Sequence, residues 1–154
     1  MAIATGAQIL AADMIHLTQV IRKTADETVN NSTALQNDDE LLLPILANEI
    51  WEFEVLIIAE SSAAADIKTA ITVPAGATLK SIGIGRDQAN ATITASSTAA
   101  WTAENINGII TILKGIVING ANAGNVTLQW AQQAAEVSDT KVLTNSCILA
   151  HRLI

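Results

Sequence analysis

A period of two is the feature that most constrains this chain. Trp51, Phe53, Val55 and Ile57 alternate with Glu52, Glu54 and Leu56. A strand sends successive side chains to opposite faces, so this order builds a strand with one apolar face; a helix would scatter the same residues around its axis. The alternation recurs in Ile67, Thr69, Ile71 and Val73, and again in Val126, Leu128 and Trp130. Further strands are expected over 28–35, 41–46, 77–84, 91–95, 108–118 and 141–153, where apolar residues lie on both faces. Turn-forming clusters separate them: ANE at 47–49, PAG at 74–76, GRDQAN at 85–90 and NGANAGN at 119–125. Short strands punctuated in this way predict a mainly β domain over 25–154, an antiparallel β-sandwich of jelly-roll-like type. Around 98–106, SSTAAWTAENI fits a second helix or a loop carrying Trp101.

The first 24 residues follow another rule. Leu10, Met14, Leu17 and Ile21 recur at intervals of four, three and four, the spacing of an apolar helix seam. A short helix is therefore expected over 8–22. At about four turns it is marginal alone in water and needs a surface to pack on. Two roles stand open, a cap on its own domain or an arm reaching a neighbouring subunit, and in the second those four residues are the partner contacts. The predicted organisation is an N-terminal helix or arm over 1–24 followed by the sandwich.

Composition sets the function classes. A length of 154 residues suits one core, and a chain that is 50% hydrophobic and 15% charged leaves apolar surface for another protein chain to cover. The eight basic residues are scattered and the net charge is −7, which argues against nucleic-acid binding, since phosphate backbones require clustered Lys and Arg. Asp13 and His16 interrupt the N-terminal apolar stretch, so neither a signal peptide nor a membrane span is expected, and synthesis in the cytoplasm follows. The single Cys147 sits in SCILA, where a small buried hydrophobe is the favoured role over a reactive thiol.

Catalytic constellations are sparse. His16 and His151 lack partners at zinc spacing, Ser146-Cys147 has no GxSxG elbow, and GIGRD at 83–87 lacks a third glycine. No cofactor is expected, and an enzyme is not. Asp38, Asp39 and Glu40 are the strongest metal-ligand candidates, because carboxylates in a loop hold calcium when further oxygens converge on them. The same three acids suit a solvated turn that protects a strand end. Glu52 and Glu54 share one strand face; they fit a glycosidase-like pair on paper and a solvated or interface face more simply.

Four stretches carry a resemblance: TADETVNNSTALQNDDELLLPILANEIWEFEVLIIAE, ADIKTAITVPAGA, GNVTLQWAQQ and TNSCILAHRLI. Together they resemble a group of tailed-bacteriophage structural proteins in which a K-x-x-D-E-T … D-D-E-L segment precedes an aromatic strand. There it is followed by D-hydrophobic-K … P-x-G-A, L-Q-W-A-Q and a terminal S-hydrophobic-L. Here those elements are Lys23–Leu41, Trp51–Ala59, Asp66–Ala77, Val126–Gln132 and Asn145–Ile154. The resemblance implies a non-enzymatic β-sandwich on the virion. Its expected form is a head decoration protein on the capsid surface that is homotrimeric, binds the major capsid protein and stabilises the shell. A tail, fibre or baseplate module is the alternative implied, including a jelly roll that binds host-surface carbohydrate through an exposed aromatic such as Trp101.

Overall fold

The computed structural model describes residues 18–84, 98–101 and 109–153. Eleven strands are formed, with no helix among the described residues: β1 (Thr18–Arg22), β2 (Glu27–Asn30), β3 (Gln36–Ile45), β4 (Ile50–Glu60), β5 (Ile67–Thr72), β6 (Thr78–Ile84), β7 (Thr98–Trp101), β8 (Ile109–Ile118), β9 (Gly124–Gln132), β10 (Asp139–Val142) and β11 (Cys147–Arg152). They build two sheets in which every pairing is antiparallel. The larger, seven-stranded sheet is organised on β4. One side of β4 pairs with β8 along Ile50–Ala59, and β8 pairs onward with β6. The other side is shared by β11, which carries β1, and by β10, which carries β2. The smaller sheet runs β3-β9-β5-β7. From β3 to β10 each strand lies in the opposite sheet from its predecessor, so the predicted β-sandwich is what forms.

The alternation of β4 explains this choice. Trp51, Phe53, Val55, Ile57 and Ala59 are buried and face the smaller sheet, while the intervening residues face outward. Opposite them the smaller sheet contributes Leu41, Leu43, Ile45, Ile67, Leu128 and Trp130, all within 2% of full burial. At roughly 1.5–3 kcal/mol for each large side chain withdrawn from water, this interleaved layer holds the sheets together. Gly115 of β8 makes room for it: a Cβ there would stand 2.7 Å from Phe53 Cζ and 2.8 Å from the Lys80 carbonyl oxygen.

Several expectations are corrected. Residues 8–17 of the expected N-terminal helix, with Leu10, Met14 and Leu17, lie outside the described residues, but its last turn is not helical. Thr18–Arg22 is an edge strand registered against β11 from Thr18↔His151 to Arg22↔Cys147. TQVIR also alternates, and pairing to a strand end that needs a partner decides its form. Ile21 turns inward and packs against the core. Thr98–Trp101, read as helix or loop, is a strand paired with β5. The single strand expected over 141–153 is two, β10 and β11, separated by a turn with Asn145 at φ 71°. The strand expected over 28–35 stops at Asn30, because Asn31 takes φ 49°. The strand expected over 91–95 lies outside the described residues.

Candidate functional site

The three consecutive acids lie in β3, at a register shift between Asn37 and Leu42, where the edge strand bulges away from β9. The expected solvated turn is half right. Asp39 is exposed, but Asp38 is fully buried and its carboxylate is saturated. It accepts hydrogen bonds from Lys23 Nζ at 2.9 and 3.0 Å, from the amides of Glu40 (3.0 Å) and Leu41 (2.8 Å), and from Trp130 Nε1 at 3.3 Å. The cation at this carboxylate is therefore an ammonium of the same chain.

Lys23 follows β1 and is itself only 1% exposed. It is fixed by its backbone, whose amide donates to Ser146 O (2.8 Å) and whose carbonyl accepts from Asn145 N (2.9 Å). Its Nζ also reaches Glu27 Oε2 at 2.8 Å. Burial alone would pull this ammonium down, but the hydrogen bonds and charges of Glu27 and Asp38 outweigh it, and the pKa ends above the ordinary lysine value. Glu27 in turn accepts from Gln36 Nε2 (2.7 Å) and the Asp39 amide (3.1 Å). Glu40 turns back over the same corner and accepts from Thr24 Oγ1 (2.7 Å), Thr24 N (2.9 Å) and Ala25 N (3.1 Å), which holds its carboxyl below the usual range. Asp26 accepts from the Thr144 amide at 2.7 Å. Five of the six charged residues of the K-x-x-D-E … D-D-E pattern are thus hydrogen-bonded through their side chains within the fold, joining β1, β2 and the β10–β11 turn to the bulge of β3, while the side chain of Asp39 is exposed.

The remaining motif residues serve the same purpose. In the Leu-Gln-Trp-Ala-Gln segment, Gln132 is fully buried; its side chain donates to Ser138 O (2.7 Å) and accepts from the amides of Ser32 and Glu136 at 3.1 Å each. Gly76 of PAG holds φ 84°, a conformation glycine adopts without strain. Pro44 is exposed on edge strand β3, where its missing N–H leaves no ladder bond unmade. At the far end of the sandwich, Glu49 accepts from the Leu46 amide (2.8 Å), Trp51 Nε1 (2.9 Å) and Arg152 Nη1 (2.8 Å). Burial would raise this carboxyl, and the three donors together bring it below the ordinary value.

No group of three or more His, Cys, Asp or Glu side chains is arranged to hold a metal ion among the described residues. Glu54 of the paired carboxylates is bound to Lys114, and Glu52 is exposed beside it on the outer face of β4. His151 is exposed on the same face, and Cys147 is half-buried there rather than fully buried; burial, with the Glu54 charge second, raises its thiol pKa. A polar cleft of about 200 Å³ lies between Glu60 and Lys141. Its serines are engaged: Ser61 shares a 2.7 Å hydrogen bond with Thr140, and Ser62 shares one of 2.7 Å with Ser138. Lys23, the residue on which the acidic corner depends, stands in the sequence reading only as the first residue of the K-x-x-D-E-T element, without a role as a buried cation. The available signal was its spacing three and four residues ahead of Asp26 and Glu27.

No protein-family model matches the chain, and no curated protein matches it. Among solved structures, it is similar to a chain in the tripod from the baseplate of bacteriophage Tuc2009, with 9% identity and a TM-score of 0.42, over 98% of this chain and 72% of that one. A second likeness is to a chain of infectious bursal disease virus, Gx strain, with 13% identity and a TM-score of 0.22, over 88% of this chain and 40% of that one. TM-scores this low carry neither fold nor function from those chains to this one.

Proposed function

We propose that this chain is a non-enzymatic structural protein of a tailed-phage virion, and within that class a head decoration protein that binds the capsid surface as a homotrimer and stabilises the shell. The observation that supports the reading is the use made of the motif residues. The segments that resemble phage structural proteins place Lys23, Glu27, Asp38, Trp130 and Gln132 as pins inside a sandwich and Asp26 and Glu40 as hydrogen-bonded pins at its edge. Pins of this kind preserve a shape rather than a reaction, which suits a protein whose work is to fit a surface. Mechanism is then mass action: a rigid sandwich that binds the assembled shell better than its separate subunits stabilises that shell by its binding free energy. The major capsid protein is the partner this implies, with no cofactor.

The test is the position of the protein in virions. Antibody-gold labelling, or electron microscopy of particles with and without the protein, is expected to place it on the head, with particles lacking it breaking at lower temperature. Label confined to the tail tip would replace the head reading with the baseplate or fibre one. Absence from purified virions would end both.

A further inference from the structure

The outward face of the seven-stranded sheet is unlike the solvated side of an ordinary antiparallel sheet. Val20, Ile116, Ile118 and Leu153 are 66%, 41%, 46% and 53% exposed, and they are four of the seven large hydrophobics so exposed among the described residues. The register gathers them on one side of the sheet: Val20 pairs with Leu149, Ile50 pairs with Ile118, and the Leu153 amide donates to Ile50 O. Leu56 and Ile112, paired with each other, add half-buried apolar surface on the Val20 side of the face. The apolar area falls in two patches, Ile116, Ile118, Ile50 and Leu153 at one end and Val20, Leu149, Leu56 and Ile112 at the other, parted by the Glu54–Lys114 and His151–Glu52 pairs. Exposed apolar area of this kind marks an interaction surface.

Charge points to the occupant. Outward positions of this sheet carry Arg22, Lys80, Lys114 and Lys141 against Glu52, Glu54, Glu60 and Asp139, four against four, whereas the whole chain has 8 basic and 15 acidic residues. The remaining described residues hold 3 basic and 8 acidic residues, so a net charge of −5 among them lies off this face. Two copies of an acidic chain repel each other everywhere except where their charges cancel. Columns of opposite sign also lie side by side, Glu52 and Glu54 on β4 against Lys114 and Lys80 on β8 and β6. A facing copy offset by one strand brings acids against bases.

We infer that this outer face is the contact between copies of this chain, the occupant being a second copy. The inference rests on the self-association proposed above but gives it as a pair, because the same face on both copies makes an isologous contact. Five strands about 4.8 Å apart, with side chains included, give a face about 25 Å on a side, or roughly 600 Å² per copy. Two such faces reach about 1,200 Å², the lower bound of a specific interface, so association is expected to be concentration-dependent.

The test measures molecular mass by light scattering across a dilution series, together with the alkylation rate of Cys147, the chain's one cysteine, which lies on this face. Val20→Lys and Ile118→Lys change exposed side chains, so folding, checked by circular dichroism, should survive. Both are expected to reduce the mass to that of a single chain and to speed alkylation, while Val137→Lys, on a loop elsewhere, leaves both readings as in wild type. Variants on the face that assemble like wild type would overturn the inference and leave the oligomer standing. A wild type that is a single chain at every concentration would remove the oligomer reading and this one with it. If deleting residues 1–17 frees Cys147 without changing the mass, the chain's own N-terminal segment covers the face, and the inference is wrong.

Discussion

The two ends of the sandwich solve one problem with different materials. At each end a tryptophan indole donates to a carboxylate that also binds a cation: Trp130 to Asp38 with Lys23 at one, Trp51 to Glu49 with Arg152 at the other. The Lys23–Asp38 pair has side chains 1% and 0% exposed, whereas the Arg152–Glu49 pair has 31% and 12%. Water can replace a lost partner at the second end and not at the first. A buried ion pair adds little over an apolar filling, but losing one half of it leaves a charge without water or partner. The Lys23 end therefore fixes the alignment of β1, β2 and β3 in an all-or-none way, while the Arg152 end tolerates change.

That difference can be broken or sharpened in graded steps. Lys23→Met is expected to have the largest effect, about 3–5 kcal/mol in urea unfolding. At about 2–4 °C per kcal/mol this is a fall of about 10 °C in thermal midpoint. Glu49→Ala should cost about 1–3 kcal/mol, because the Leu46 amide and Trp51 indole lose their acceptor in a partly solvated place. If Glu49→Ala proved the costlier of the two, the contrast between the ends would be reversed.

The pH dependence separates the ends further. The Lys23 pKa is raised by folding, so its contribution is full below the unfolded value of about 10.4 and is lost as pH rises through the folded value. Above about pH 10.4 the gap in stability between wild type and Lys23→Met should narrow. In acid the sign is opposite. Glu40 and Glu49 have lowered pKa values, so their contributions are present above about pH 4.3 and are lost as pH falls through the folded values. A wild type that weakened equally with Lys23→Met on the alkaline side would show that Lys23 is not held as described. The smallest effect is expected for Asn37→Ala on the smaller sheet, whose exposed side chain only accepts from Gln129 Nε2 at 2.8 Å, and the thermal midpoint should not move.

Much of this fold was legible in the sequence. The period of two in 51–57 marks the buried face of β4, and the same alternation puts Trp51 and Trp130 on the apolar faces that form the core. Where reading by pattern failed, a partner distant in sequence decides the form. Thr18–Arg22 fits a helix seam as well as a strand until β11 is there to pair with it. The chain from 36 to 40, QNDDE, has no apolar alternation at all, yet it is strand, because its bulge is held by Lys23 fifteen residues earlier. Polar residues that are buried in pairs carry no periodic signal, so the acidic corner read as loop or ligand. The contact candidates Leu10, Met14 and Leu17 lie outside the described residues, while Ile21 is claimed by the core.

The most direct measurement is a double-mutant cycle in urea on Lys23→Met and Asp38→Ala. If Lys23 and Asp38 form one buried unit that pins the sheets, the double variant loses less than the sum of the single losses, by about 1–3 kcal/mol. Additive losses would mean that the two residues act separately and would contradict the reading of the acidic motif as architecture.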